Sequence, residues 1–144
     1  HREEGFSPGI KDGMDIAVCL VDRTRNELHF SGAFLPLYMI RKGKLIEKKG
    51  DKHFIGSSMP HISYTNHVIS MEEGDNYYLL SDGYSDQFGG AENKKFMNRR
   101  VRYLLVNIHE YSLSDQRDIL EDNFTSWKGQ NQQIDDVLLI GFRP

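Results

Sequence analysis

The 144-residue sequence has one cysteine, Cys19, so no disulfide framework can form within it. Cys19 lies inside the apolar run "IAVCLV", where a reduced, buried thiol is expected rather than a nucleophile. No apolar stretch approaches the roughly 20 residues that a membrane helix needs. The opening "HREEGFSPG" also lacks a secretory apolar core. A large excess of charge of one sign is lacking as well. Eighteen basic and twenty-one acidic residues leave a net charge of -3, which gives the chain as a whole no drive toward nucleic acid or an anionic membrane. Internal repeats and low-complexity segments are absent. The six histidines, at positions 1, 29, 53, 61, 67 and 109, form no His-x-x-x-His or Cys/His pair, so zinc is disfavoured. "GGAENKK" lacks Walker spacing, which disfavours nucleotide binding. What remains is one soluble, cytoplasmic domain spanning residues 1–144, with 38% hydrophobic residues to bury in a single core.

The patterned part of the chain begins with strands. Met14 to Val21 reads as a buried strand, and "DRTRNE" turns it into "LHFSGA" to make a hairpin. "PLYMI" and "KLIEK" flank "RKGK", where Gly43 can supply a positive φ, giving a second hairpin. "NHVISM" and "YYLLS" flank "EEGD" around Gly74 and read as a third. The period then changes. In "ENKKFMNRRVRYLLVNIHEY", Met97, Val101, Leu104, Leu105 and Ile108 recur at helical spacing. A second helix is predicted in "SLSDQRDILEDNFTSWKG", with Ser112 and Asp115 as a capping box, Leu120, Phe124 and Trp127 on one face, and Gly129 as its stop. The closing "IDDVLLIGF" has the continuous apolar run of a central strand.

The expected fold class is α+β, with antiparallel β-sheet layers and two consecutive amphipathic helices on one sheet face. The other face of that sheet needs a cover that the chain does not supply. The basic residues Lys94, Lys95, Arg99, Arg100 and Arg102 give the first helix a charged side, by default solvated and otherwise available to an acidic partner.

Two acidic sites stand at strand ends: Asp82 in "LLSDGYSDQ" and the pair Asp135 and Asp136 in "QIDDVLLI". If the two strands are antiparallel neighbours, the end of one lies beside the start of the other, and the acids share a rim. Close carboxylates repel unless a cation sits between them, and magnesium or manganese suits such oxygen donors. Gly83 would let backbone or solvent approach closely. Turn formation or capping explains the same residues without any metal. Asp86 and Gln87 read as helix-start residues or as groups supporting the site.

The order "DGMDIAVCLVD", "LHFSGAFLPLYMIRKGK", "HFIG", "GDNYYLLSDGYSDQFGG", "KKF" and "WKGQNQQIDDVLLIGF" resembles the sporulation-stage-II-E-like bacterial branch of the metal-dependent protein phosphatases, the protein phosphatase 2C family. The resemblance runs from Lys11 to the end. It implies an α-β-β-α sandwich with two manganese or magnesium ions between the sheets. It matches Asp82 and Asp135 to metal ligands, with Asp136 next to the second. The implied activity is hydrolysis of phosphoserine or phosphothreonine by a metal-activated water, on a regulatory protein of the kind found in sigma-factor signalling. The family's first half also carries a metal-bridging aspartate in a Gly-Asp, Gly-His-Gly type motif. No such string occurs between His1 and Pro144, and Asp12 and Asp15 match a later segment. The chain therefore reads as the second part of a catalytic domain, N-terminally truncated and inactive alone. It is expected to hide the surface so exposed by forming a homodimer. A metal-free, phosphatase-like binding module is the alternative.

Overall fold

A computed structural model describes residues 13–56 and 62–144. The unpatterned opening segment, Asp12, His1 and His61 lie outside the described residues.

Ile16–Asp22 (β1) and Glu27–Ala33 (β2) form the first hairpin, with Ile16 opposite Ala33 and Asp22 opposite Glu27. The Asp22 carboxylate closes the turn by accepting from the Thr24 hydroxyl and from the Thr24 and Arg25 amides. Leu37–Arg41 (β3) and Lys44–Lys48 (β4) form the second. Lys42 and Gly43, both at positive φ (51° and 73°), make the two-residue connection that suits the strand twist.

The third expected hairpin does not form. His67–Ser70 (β5) pairs with β2, setting Leu28 opposite Ile69, whereas Asn76–Leu80 (β6) pairs with β3. "EEGD" is a turn, with Gly74 at φ 87°, but it carries the chain from one sheet to another. Local turn chemistry is the same in both cases, and long-range burial of Ile69 against Leu28 and Phe30 decides the partner.

Two sheets result, ordered β1-β2-β5 and β4-β3-β6 with Leu139–Phe142 (β9) beside β6. A short helix, Gly83–Asp86 (α1), and a small hairpin of Phe88–Gly89 (β7) with Lys94–Lys95 (β8) follow β6. The long helices are Asn98–Ile108 (α2) and Leu113–Lys128 (α3). Lys94 and Lys95 thus lie in a strand, not on the basic side of the first helix, because the segment before Asn98 pairs back onto Phe88 and Gly89. The α3 start is as expected: the Ser112 hydroxyl accepts from the Asp115 amide at 3.0 Å and donates to its carboxylate at 2.6 Å. Gly129 takes φ 54° at its end.

Side chains alternate across a strand, and here each alternate set meets a different layer. Tyr38, Ile40, Tyr78 and Leu80 pack against Val101, Leu105, Ile108 and Leu120 of the helices. Leu37, Met39 and Tyr77 pack on the opposite side against Leu28, Phe30, Ile69 and Met71. The second face of the four-stranded sheet is therefore covered by the chain's own three-stranded sheet, contrary to the expectation of a missing cover. The described residues form helix, sheet and sheet layers. The uncovered face lies one layer out, where Val18 (53%), Leu20 (59%) and Val68 (54%) are exposed. β9, expected to be central, ends the order β4-β3-β6-β9 among the described residues, with Leu138 and Ile140 exposed.

One buried charge crosses this core. Asp75 is 1% exposed and is held by Arg41 at 2.8 and 2.7 Å, by the Glu72 amide and by the Tyr77 hydroxyl. Burial by itself would push its carboxyl up, but the Arg41 guanidinium, the Glu72 amide and the Tyr77 hydroxyl together hold it below the usual carboxylate range. A lowered folded-state value means that the stabilisation is complete above about pH 3.9 and is lost as pH falls through the folded-state value. Replacing Asp75 with Asn removes the buried partner of Arg41, which keeps Glu72 at 2.9 Å and the Ser70 carbonyl at 2.7 Å, and is expected to cost on the order of 2 kcal/mol, read as a lower urea midpoint at pH 7, with a smaller difference from the parent at acid pH.

Candidate functional site

The acidic strand ends meet as the antiparallel expectation requires. In the β6–β9 pairing, Leu80 faces Leu139, so the residues after β6 run beside those before β9. Ser81 joins the two arms three times. Its amide donates to the Leu138 carbonyl at 2.9 Å, its hydroxyl donates to the Asp136 carbonyl at 2.9 Å, and the same oxygen accepts from the Leu138 amide at 3.0 Å. Nothing in "LLSDG" marks this serine as different from any turn serine, and sequence reasoning passed over it.

Gly83 sits where the arms come close. A Cβ there would lie 2.3 Å from the Asp136 carbonyl oxygen and 2.9 Å from its carbon, inside contact distance. Its helical backbone has no need of glycine, so the requirement comes from the neighbouring chain. The close approach foreseen at Gly83 is therefore that of the Asp136 backbone.

Asp82 occupies the N-cap of α1, yet its side chain makes no capping hydrogen bond. Its carbonyl, not its carboxylate, receives the Asp86 amide and the Ser85 hydroxyl. Asp135 is different: one carboxylate oxygen accepts from the amide of the next residue, Asp136, at 2.7 Å. Asp82, Asp135 and Asp136 are all exposed. Among the described residues, no group of three or more His, Cys, Asp or Glu side chains comes together to hold a metal ion. The donors on the rim fit a hard divalent ion in kind, being carboxylate oxygens open to water, which magnesium commonly accepts in ones and twos with waters completing its shell. A dinuclear centre would require more ligands than these arms bring.

Asp86 ends α1 and pairs with Lys95 at 3.2 Å, across the turn and away from a ligand role. Gln87 is fully buried. Its side-chain amide donates to the Phe88 and Gln132 carbonyls at 3.0 Å, tying the segment after Asp82 to the segment before Asp135. The Trp127 indole donates to the Gln87 carbonyl at 3.0 Å, and the Gly90 amide donates to the Trp127 carbonyl at 2.9 Å. A Cβ at Gly89 would lie 1.8 Å from that carbonyl oxygen, and Gly90 takes φ 68° against the Trp127 ring, which together explain the paired glycines of "DQFGG".

A groove of about 420 Å³ opens beside the rim, lined by Asp82, Ser81, Phe34, Lys49, Lys52 and Arg102 among others. Arg102 is engaged by Glu47 at 3.1 Å and lies over the Tyr38 ring, while Arg100 stacks on Trp127 at 4.4 Å. Much of the basic helix side is therefore occupied in packing. Three of the described histidines lie apart in the fold: His29 near Glu27, His67 stacked on Phe30, and His109 at the Val106 carbonyl. Cys19 is half-buried, and burial pushes its thiol up to about 11, which leaves it a poor nucleophile at neutral pH.

The chain is similar to the SiaA-PP2C domain of Pseudomonas aeruginosa, with 31% identity and a TM-score of 0.82 over 91% of this chain and 51% of that one. It shares its fold with the phosphatase domain of SpoIIE from Bacillus subtilis (14% identity, TM-score 0.61, 90% of this chain and 57% of that one). The same holds for the Mycobacterium tuberculosis serine/threonine phosphatase PstP/Ppp (18% identity, TM-score 0.59, 90% and 59%). The chain thus spans about half the length of these solved chains. A search of curated proteins found no match. The sequence model described as Stage II sporulation protein E (SpoIIE) matches residues 8–144, and with the α+β layering and the paired acidic strand ends this chain belongs to the SpoIIE family, within the protein phosphatase 2C fold.

Proposed function

We propose that the protein is a metal-dependent serine/threonine phosphatase that hydrolyses phosphoserine or phosphothreonine on a regulatory protein. The observation that supports it is the joining of β6 to β9 through Ser81, which brings the backbone on either side of Asp82 against that of Asp136 and Leu138. Asp82, whose carboxylate is not spent on a cap, and Asp135 would hold manganese or magnesium, with Asp136 the less favoured ligand. The metal, when bound, supplies Lewis acidity and a nucleophilic water at neutral pH. The chain's own residues set the stage. Ser81 and Gly83 fix the separation of the two arms, Gln87 ties their far ends, and Lys49 and Lys52 place positive charge along the groove for an anionic substrate.

A second ion would require a further carboxylate, which the described residues do not bring to these arms. The chain alone would then bind metal weakly and turn over little. The second reading, a metal-free module, draws on the same fact, that the described residues bring together two acidic arms and no third ligand. A cytoplasmic location accompanies a regulatory phosphoprotein substrate. No described helix is long and apolar enough to cross a membrane.

In the full-length protein, Asp82→Asn is expected to lower phosphatase activity at least about a hundredfold, about 2.7 kcal/mol in the barrier, and to weaken manganese binding in calorimetry. Unchanged activity removes the assignment. Gly83→Ala is expected to lower manganese affinity with the circular dichroism spectrum retained, because its methyl group pushes the Asp136 backbone away. For the chain by itself, the apolar outer face around Val18, Leu20 and Val68 favours a homodimer. Sedimentation at micromolar concentration is expected to show two copies, and Leu20→Glu to give one.

A further inference from the structure

Phe34 is held in a conformation that phenylalanine disfavours. Its φ is 61°, in the left-handed region where asparagine and glycine are at home and a bulky residue is an outlier. The surrounding backbone enforces it. The Phe34 amide donates to the Asp51 carbonyl at 2.8 Å, the Asp51 amide donates to the Gly32 carbonyl at 2.8 Å, and the Leu35 amide donates to the Ala33 carbonyl at 2.8 Å. A Cβ at Gly32 or at Gly50 would lie 2.3 or 2.7 Å from the Leu35 carbonyl oxygen, so the two glycines let the loop close on itself. The Asp51 carboxylate in turn accepts from the Thr65 amide and hydroxyl at 2.7 and 2.9 Å.

Core packing does not account for the ring. Phe34 is 47% exposed, and it lines the groove that holds Asp82, with Pro36 and Leu80 nearby and Lys49 and Lys52 on the rim. A turn alone would be better served by asparagine or glycine. Strained residues that the surrounding structure over-determines gather at ligand-contacting sites. Met97 also has positive φ, 76°, but does not line this groove.

We propose that Phe34 is a specificity contact of the phosphatase site: its exposed ring packs on an apolar side chain adjacent to the phosphorylated serine or threonine while the phosphate lies toward Asp82. This rests on the reading of Asp82 as part of that site. The phosphate is drawn by the exposed Lys49 and Lys52, and the neighbouring side chain is selected by contact area.

The test uses the full-length protein with manganese and two phosphoserine peptides that differ in having leucine or glycine next to the phosphoserine. The parent is expected to prefer the leucine peptide about tenfold in kcat/KM. Phe34→Asn is expected to remove that preference, mainly through KM, with an unchanged or raised melting temperature because asparagine suits the backbone. Phe34→Tyr is expected to keep the preference. A parent without preference, or a Phe34→Asn variant that retains it, overturns the proposal. So does a Phe34→Asn variant that melts lower and loses both peptides equally, which would make the ring structural. Asp82→Asn separates the two readings: if it remains active on both peptides, the site assignment fails, whatever Phe34 does.

Discussion

The fold depends on the two-sided burial of β6. Tyr77 and Tyr78 are 0% and 1% exposed although they point to opposite faces of one sheet, so that sheet needs a layer on each side. The two helices supply one layer and the three-stranded sheet supplies the other. Their polar tips are satisfied separately, Tyr77 by Asp75 and Tyr78 by Gln116, because a buried hydroxyl without a partner is costly. Burial pushes the Tyr78 hydroxyl up to about 12, so it stays protonated and donating at neutral pH. A strand fixed on both faces ends in a definite place, and that place is Ser81 and Asp82.

The join of that end to β9 sets the spacing of the two acidic arms. A ladder alone would align Leu80 with Leu139 and leave the loops beyond free to splay. Ser81, Gly83 and Gln87 prevent this by bonding or packing against the Asp136 and Gln132 backbone. The separation of carboxylates at a strand end is set by the backbone that carries them. The strain at Phe34, of order 1–3 kcal/mol for such a backbone, is held by the hydrogen bonds that tie its loop to Asp51 and Gly32.

The local elements were legible where a single residue dictates geometry. Gly43 marked the β3–β4 turn, Ser112 with Asp115 marked the start of α3, and Gly129 marked its end. Reading failed where identical local chemistry has two outcomes. "EEGD" turns the chain whether β5 pairs with β6 or with β2, and only the burial of Ile69 against Leu28 distinguishes them. "ENKK" precedes a helical stripe and yet pairs back onto Phe88 and Gly89. The apolar run before Pro144 reads as a central strand, but sidedness depends on how many strands lie beyond it.

The sequence by itself determined which residues bear carboxylates, where strands end, and the alternation that sends Tyr77 and Tyr78 to opposite cores. Periodicity and turn residues encode these over a few neighbouring positions. Only the tertiary structure decided that Asp82 and Asp136 share a rim, that glycine is required at 83 by the backbone of residue 136, and that Ser81 and Gln87 tie the two arms. Those contacts join residues more than forty positions apart, and their identity depends on packing between layers, which no local pattern records.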